Sequence, residues 1–344
     1  MAGQGRRGAA RVAVVTGGSA GIGLATAQLL AQRGWSVAIL ARGADRLAEA
    51  EALLAREGGR VLAIPADVAD DAAVEAAADR IEQELGPIRA WINNAMTTIV
   101  GPAERITPEE YRSVTGATYL GTVHGTLAAL RRMKPRDRGV IVQVSSGLAI
   151  RAAPMQAPYC AAKFAVSGFT DSLRAELIHA DSHIALSVVY LPAVNTPQFG
   201  WTRTRTGRGQ RAPDPVFDPR LCAEAIHHAI EHPTREVWVG RTSLMMAAAQ
   251  ALLPSYADRK AAESLDDMVQ DGPVPDRRGN LDGPVPGPAR IDGDARARAK
   301  TTRSEFWTSR ERDALVLSVA GAALLGTALA ARALRGPLRL LGRV

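Results

Sequence analysis

The stretch Arg11-Val12-Ala13-Val14-Val15-Thr16-Gly17-Gly18-Ser19-Ala20-Gly21-Ile22-Gly23 carries the fold in its spacing. Its first half is a short β-branched apolar run, which predicts a buried strand. Its second half is a glycine-rich turn, and the alanine- and leucine-rich segment from Leu24 to Gln32 then predicts a helix. Strand, turn and helix in this order make a phosphate cradle. Glycine permits tight turning and close backbone approach, while the helix N-terminus offers free N–H groups and the positive end of its dipole. Seven apolar runs, near 12–15, 36–40, 61–64, 89–92, 140–144, 184–190 and 236–239, alternate with helical patterns. That alternation predicts an α/β fold with a Rossmann-type, doubly wound parallel sheet.

The second strand, Ser36 to Leu40, is followed by Ala41-Arg42-Gly43. An acidic residue in this region would accept hydrogen bonds from the ribose hydroxyls of NAD. Arg42 stands there instead, and a guanidinium suits a 2′-phosphate. NADP(H) is therefore expected in preference to NAD(H), with a solvated strand-end charge as the plainer alternative.

Further on, Tyr159 and Lys163 stand four apart in Tyr159-Cys160-Ala161-Ala162-Lys163, with Ser146 upstream in Val144-Ser145-Ser146-Gly147. On a helix this spacing shares one face. A free phenol titrates near pH ~10, and an ammonium beside it favours the phenolate. Tyr159 can then exchange a proton with a substrate oxygen, to which Ser146 donates a hydrogen bond. Tyr-x-x-x-Lys alone is common on helix surfaces. Its weight comes from the glycine loop ahead of it.

Together these segments resemble the short-chain dehydrogenase/reductase family over about residues 10–240. Thr16-Gly17-Gly18-Ser19-Ala20-Gly21-Ile22-Gly23 matches the family's cofactor loop, and Asp67-Val68 its adenine-side pair. Asn93-Asn94-Ala95 matches most of an Asn-Asn-Ala-Gly turn, and Leu191 to Thr196 is similar to a Pro-Gly-x-x-x-Thr segment beside the nicotinamide. The resemblance implies an NAD(P)-dependent oxidoreductase of carbonyls and secondary alcohols, with Ser146, Tyr159 and Lys163 as its catalytic set. Cofactor contacts are implied for Thr16, Gly17, Ser19, Gly21, Ile22, Gly23, Arg42, Asp67, Val68, Asn94, Ala95 and Thr196, and also for Tyr159 and Lys163. Three positions depart from the pattern. Met96 and Ala193 replace glycines, and Thr118 falls where the family has an asparagine that supports a water in the lysine's proton path. These departures motivate the rival reading, a cofactor-binding sensor or scaffold without turnover at a membrane. A serine hydrolase is a poorer rival, because Ser146 has no histidine base at a suggestive spacing.

Only two cysteines occur, Cys160 and Cys222, which excludes a disulfide framework and fits a reducing cytosol. No His/Cys cluster predicts a metal, and residues 1–10 do not read as a secretory signal. The net charge of +7 comes from arginines spread along the chain, without the aromatic-interleaved stripe of a nucleic-acid surface. Phe199-Gly200-Trp201 followed by Arg203, Arg205, Arg208 and Arg211 falls in the segment that the family uses as a substrate lid. The aromatics suit a bulky apolar carbonyl compound, and the arginines suit an anionic one.

The catalytic domain is expected to span 11–255, after a flexible 1–10. Residues 256–313 are rich in proline, glycine and charge, and read as an extended linker. After Asp313, eighteen residues from Ala314 to Ala331 carry no charge. Segment 314–334 is expected to anchor the chain to a membrane, with 335–344 as a basic tail. A tail helix docked on a partner or lying on a membrane surface is the alternative. The cofactor would keep the catalytic domain cytoplasmic. The resemblance also implies a homo-oligomer, paired through the helices around 108–133 and 159–178.

Overall fold

In the computed structural model, which describes residues 11–274, 278–301, 306–314 and 317–318, the predicted β-branched runs pair side by side. They are β1 (Val12–Thr16), β2 (Ser36–Ala41), β3 (Val61–Pro65), β4 (Ile88–Asn93), β5 (Gly139–Ser146), β6 (Ile184–Leu191) and β7 (Glu236–Val239). An eighth strand, β8 (Phe306–Thr308), completes a sheet of order β8-β7-β6-β5-β4-β1-β2-β3. All neighbours are parallel except β8, which runs antiparallel to β7. β1 pairs with β2 on one side and β4 on the other, so the strand order reverses there. Ligands of such sheets sit outside the strand C-termini at this reversal.

Strand side chains alternate between two faces, and each face has its own core. Ala13 and Val15 of β1 pack with Leu24 and Leu30 of α1 (Gly21–Gln32), with α2 (Ala44–Ala55) and with α7 (Pro219–Glu231). Val12 and Val14 pack instead with α3 (Asp71–Leu85), α5 (Gly121–Met133) and α6 (Ala157–His179). Between α4 (Pro108–Thr115) and α5 the chain makes a π-helical turn, Gly116–Leu120. A buried polar network holds the end of β4: Asn93 Nδ2 donates to Thr126 Oγ1 and Gln143 Oε1, both at 2.9 Å.

The stretch read as a linker folds back onto the domain. After helix α8 (Arg241–Leu252), helix α9 (Pro254–Glu263) leads into it, and Val269–Pro273 then pairs antiparallel with Arg208–Gln210. Residues 278–301 cross the C-terminal ends of β2 and β6, and β8 caps the sheet edge. Proline-rich backbone offers carbonyls but few donors, and here arginine side chains supply the donors. No helix among the described residues is long and apolar enough to cross a membrane. Residues 1–10, most of the anchor segment 314–334 and the basic tail 335–344 lie outside the described residues.

Candidate active site

A cavity of about 1070 Å³ opens at the C-terminal ends of the strands, where the order reverses. At one end it is walled by Gly17, Ser19, Gly21, Ile22, Arg42, Asp67 and Val68; at the other by Ser146, Tyr159 and Lys163, with Asn94, Ala95 and Thr196 between. Thr16 and Gly23 stand behind the wall and shape it. Thr16 Oγ1 accepts from the amides of Asn94 (2.9 Å) and Ala95 (3.0 Å), which ties the glycine loop to the turn after β4. Gly17 sits at φ +68°, and a Cβ on Gly23 would lie 2.2 Å from the Gly17 carbonyl. Both positions require glycine.

Helix α1 begins without a side-chain cap and without an acidic residue in its first turn. Its orphan amides and dipole suit an anion, so the cradle fits the diphosphate of a dinucleotide. Arg42 stands at the end of β2, 3.8 Å from Asp67. Its guanidinium donates to the carbonyls of Leu281 (3.4 Å), Gly283 (3.3 Å) and Asn280. The Gly21 amide donates to the Arg290 carbonyl at 3.0 Å.

At the other end, Ser146 ends β5 and Tyr159 and Lys163 share one face of α6. Tyr159 and Lys163 are buried, and Lys163 Nζ lies 5.8 Å from the Tyr159 ring centre while donating to the Val144 carbonyl at 2.8 Å. Burial pushes the Tyr159 phenol above its ordinary 10; a hydrogen bond with Ser146 opposes this, and neighbouring Cys160 adds to the rise. Burial lowers Lys163 to about 8. The depressed phenol expected from the ammonium alone is therefore corrected. Desolvation is the largest influence on each group.

Thr118 does not line the cavity. Its buried hydroxyl donates to the Thr97 carbonyl at 3.0 Å and accepts from the Thr97 amide at 3.1 Å, clipping the π-helical turn to the loop after β4. It is a structural clip, where the family pattern implied a water support. Met96 and Ala193 do line the cavity, and neither has a positive φ. Three of the four lid arginines are paired with carboxylates. Arg203 pairs with Glu110 (3.2 Å) and Asp282, Arg205 pairs with Glu110 at 2.6 Å, and Arg208 lies 3.9 Å from both Asp266 and Asp271. The cavity wall beside them includes the apolar side chains of Met246, Met268, Leu148 and Phe199. Met246 and Met268 come from segments outside the motif-bearing part of the chain, so no spacing could reveal them. Asn195 also escaped the motif reading; its backbone carbonyl and Oδ1 accept from Gly293 (3.2 Å) and Ala295 (2.8 Å). Among the described residues no His/Cys/Asp/Glu cluster could hold a metal.

Comparisons with known proteins agree with this fold. The family model described as short chain dehydrogenase matches residues 11–206. An uncharacterized oxidoreductase of Bacillus subtilis, YxnA, is 30% identical over 251 residues, covering 72% of this chain and 70% of that protein. D-threitol dehydrogenase of Mycolicibacterium smegmatis is 36% identical over 169 residues, covering 48% of this chain and 64% of that one. Among solved structures, an alcohol dehydrogenase of Thermococcus sibiricus complexed with 5-hydroxy-NADP superposes with a TM-score of 0.59 at 25% identity, covering 67% of this chain and 95% of that one. The chain belongs to the short chain dehydrogenase family and is an NAD(P)-dependent oxidoreductase acting on CH–OH or C=O groups.

Proposed function

We propose that this protein interconverts an apolar carbonyl compound and the corresponding secondary alcohol with NADP(H), using Tyr159 as the general acid/base. The observation that carries this reading is the convergence of Ser146, Tyr159 and Lys163 on one end of the cavity wall, with Lys163 Nζ 5.8 Å from the Tyr159 ring centre. Bound at the cradle, the nicotinamide cofactor supplies or accepts the hydride. The Tyr159 phenol is protonated at neutral pH, burial holds it in that form, and its place on the cavity wall lets it donate to a carbonyl oxygen. Ser146 donates a second hydrogen bond to that oxygen and keeps it facing the phenol. Lys163, held by the Val144 carbonyl, contacts the nicotinamide ribose and favours the phenolate formed when the proton leaves. Thr196 holds the carboxamide. Arg42, at the end of β2, holds the 2′-phosphate and sets the preference for NADP(H). That the Thermococcus sibiricus relative is complexed with an NADP analogue supports this choice.

The test is oxidation of NADPH and NADH by the full chain against a broad panel of aldehydes and ketones. Turnover with NADPH preferred is expected, on apolar and not on anionic substrates. Binding without turnover on any of them would return weight to the sensor reading.

Two associations belong to the same proposal. Segment 314–334 tethers the catalytic domain to the cytoplasmic side of a membrane, its uncharged run being the support. Chains associate through α5 and α6, which expose Leu127, Phe164 and Ile178, the last 73% exposed. Sedimentation of the full chain against one ending at Asp313 checks both. The shorter chain is expected to leave the membrane fraction and keep its oligomeric mass.

A further inference from the structure

Residues 278–300 form a strap over the adenosine end of the cavity, and its middle is held by groups that belong to the cofactor site. The sequence Gly283-Pro284-Val285-Pro286-Gly287-Pro288 places a proline after each of Gly283, Val285 and Gly287. Those three carbonyls meet guanidiniums: Gly283 meets Arg42 at 3.3 Å, Val285 meets Arg46 Nη2, and Gly287 meets Arg46 Nε at 3.1 Å. Asn280 and Leu281 add two further acceptors to Arg42. The Arg290 carbonyl takes the Gly21 amide of the phosphate cradle, and the Ala289 amide reaches Glu49 at 2.8 Å. Prolines lack the N–H donor, so the strap presents an array rich in acceptors. A phosphate group offers the same kind of array to an arginine pair.

The ends of the strap are fixed differently. Leu281 is buried in a cluster with Ile99, Val114 and Tyr159. Asp282 pairs with Arg203, Asp292 pairs with Arg220 at 2.8 Å, and the Lys300 amide reaches the Val216 carbonyl at 2.9 Å. None of these contacts involves Arg42 or Arg46. The middle can therefore lift while the ends stay in place.

We propose that the strap is an internal competitor for Arg42 and Arg46: NADP(H) must displace its carbonyls from both arginines to seat the 2′-phosphate, whereas NAD(H) needs only the Gly21 amide released by the Arg290 carbonyl. This rests on the reading that Arg42 holds the 2′-phosphate. The strap then sets the cofactor preference together with the arginines it occupies. Binding competent only in the open state lowers apparent affinity by the open fraction, so the effect of releasing Arg42 and Arg46 falls on NADP(H).

A reversible lock tests it. A Cβ built on Gly43 lies 3.0 Å from the Pro284 Cβ, close to the ~3.5–4.5 Å of a disulfide. In the full chain carrying Gly43→Cys and Pro284→Cys, oxidation is expected to weaken NADPH binding by about tenfold or more and NADH by less than about twofold, with thiol reductant restoring both. Loosening the ends by Asp282→Ala with Asp292→Ala is expected to tighten NADPH selectively, and this arm stands if the cysteine variant does not fold. An oxidised lock that leaves NADPH unaffected, or that weakens both cofactors equally, overturns the proposal. Arg42→Ala separates the two levels. If it binds NADPH like the unmodified chain, the assignment of Arg42 fails and takes the strap proposal with it. If it binds NADPH weakly while the lock has no effect, only the strap proposal fails.

Discussion

Lys163 carries a large electrostatic cost. A fall from 10.5 to about 8 on burial corresponds to about 3 kcal/mol at 1.36 kcal/mol per decade. The sign follows from proton binding. Between pH 8 and 10.5 the unfolded chain binds the proton more tightly than the folded one, so this penalty is complete below pH 8 and relieved as pH rises through that window. Lys163→Met removes the charge and loses one hydrogen bond, worth about 1 kcal/mol. In the absence of cofactor the variant is expected to be about 2 kcal/mol more stable than the parent at pH 7, with the gap closing by pH ~10.5. Urea titrations at both pH values check this. A variant less stable at pH 7, or a gap that does not change with pH, would contradict it. Tyr159, Lys163 and Ser146 were legible because helical spacing and strand position follow from local sequence. The direction of the phenol's shift was not legible. It depends on burial contributed by Ile99, Val114 and Leu281, the last more than a hundred residues away.

The connection between α4 and α5 differs most from its sequence reading. One continuous helical pattern over 108–133 resolves into two helices around a π-helical turn, and turns of this kind gather at functional sites. Thr118 explains its retention by satisfying both backbone groups of Thr97 from inside the core. Thr118→Val keeps the shape and strands that amide and carbonyl, so a loss of about 1–3 kcal/mol is expected, measured as a lower urea midpoint at unchanged slope. A change within about 0.5 kcal/mol would contradict the clip. The strands themselves were read closely because buried parallel strands are continuous apolar runs. The edge strand β8 was not, since Phe306-Trp307-Thr308 is three residues long and, among the described residues, pairs with β7 alone.

For the molecule as a whole, the catalytic cavity is a joint product of the motif-bearing sheet and the C-terminal return. Every motif that marks the family lies before residue 206, and the family model stops there too. Met246, Met268, Leu281 and Pro284–Pro288 come from beyond it and still line the cavity or pack against Tyr159. Composition could not reveal this. A run of prolines and glycines reads as a linker unless arginines distant in sequence donate to its carbonyls, and those pairings span about 240 residues. A chain cut near residue 260 would therefore lack part of the site, and the decisive assay belongs on the full chain. That assay compares Tyr159→Phe with the parent, using a substrate that the parent turns over. The variant is expected to bind NADPH normally and to lose about 10²–10⁴-fold in kcat, the span of a general acid/base. Full turnover by Tyr159→Phe would contradict the account at its centre.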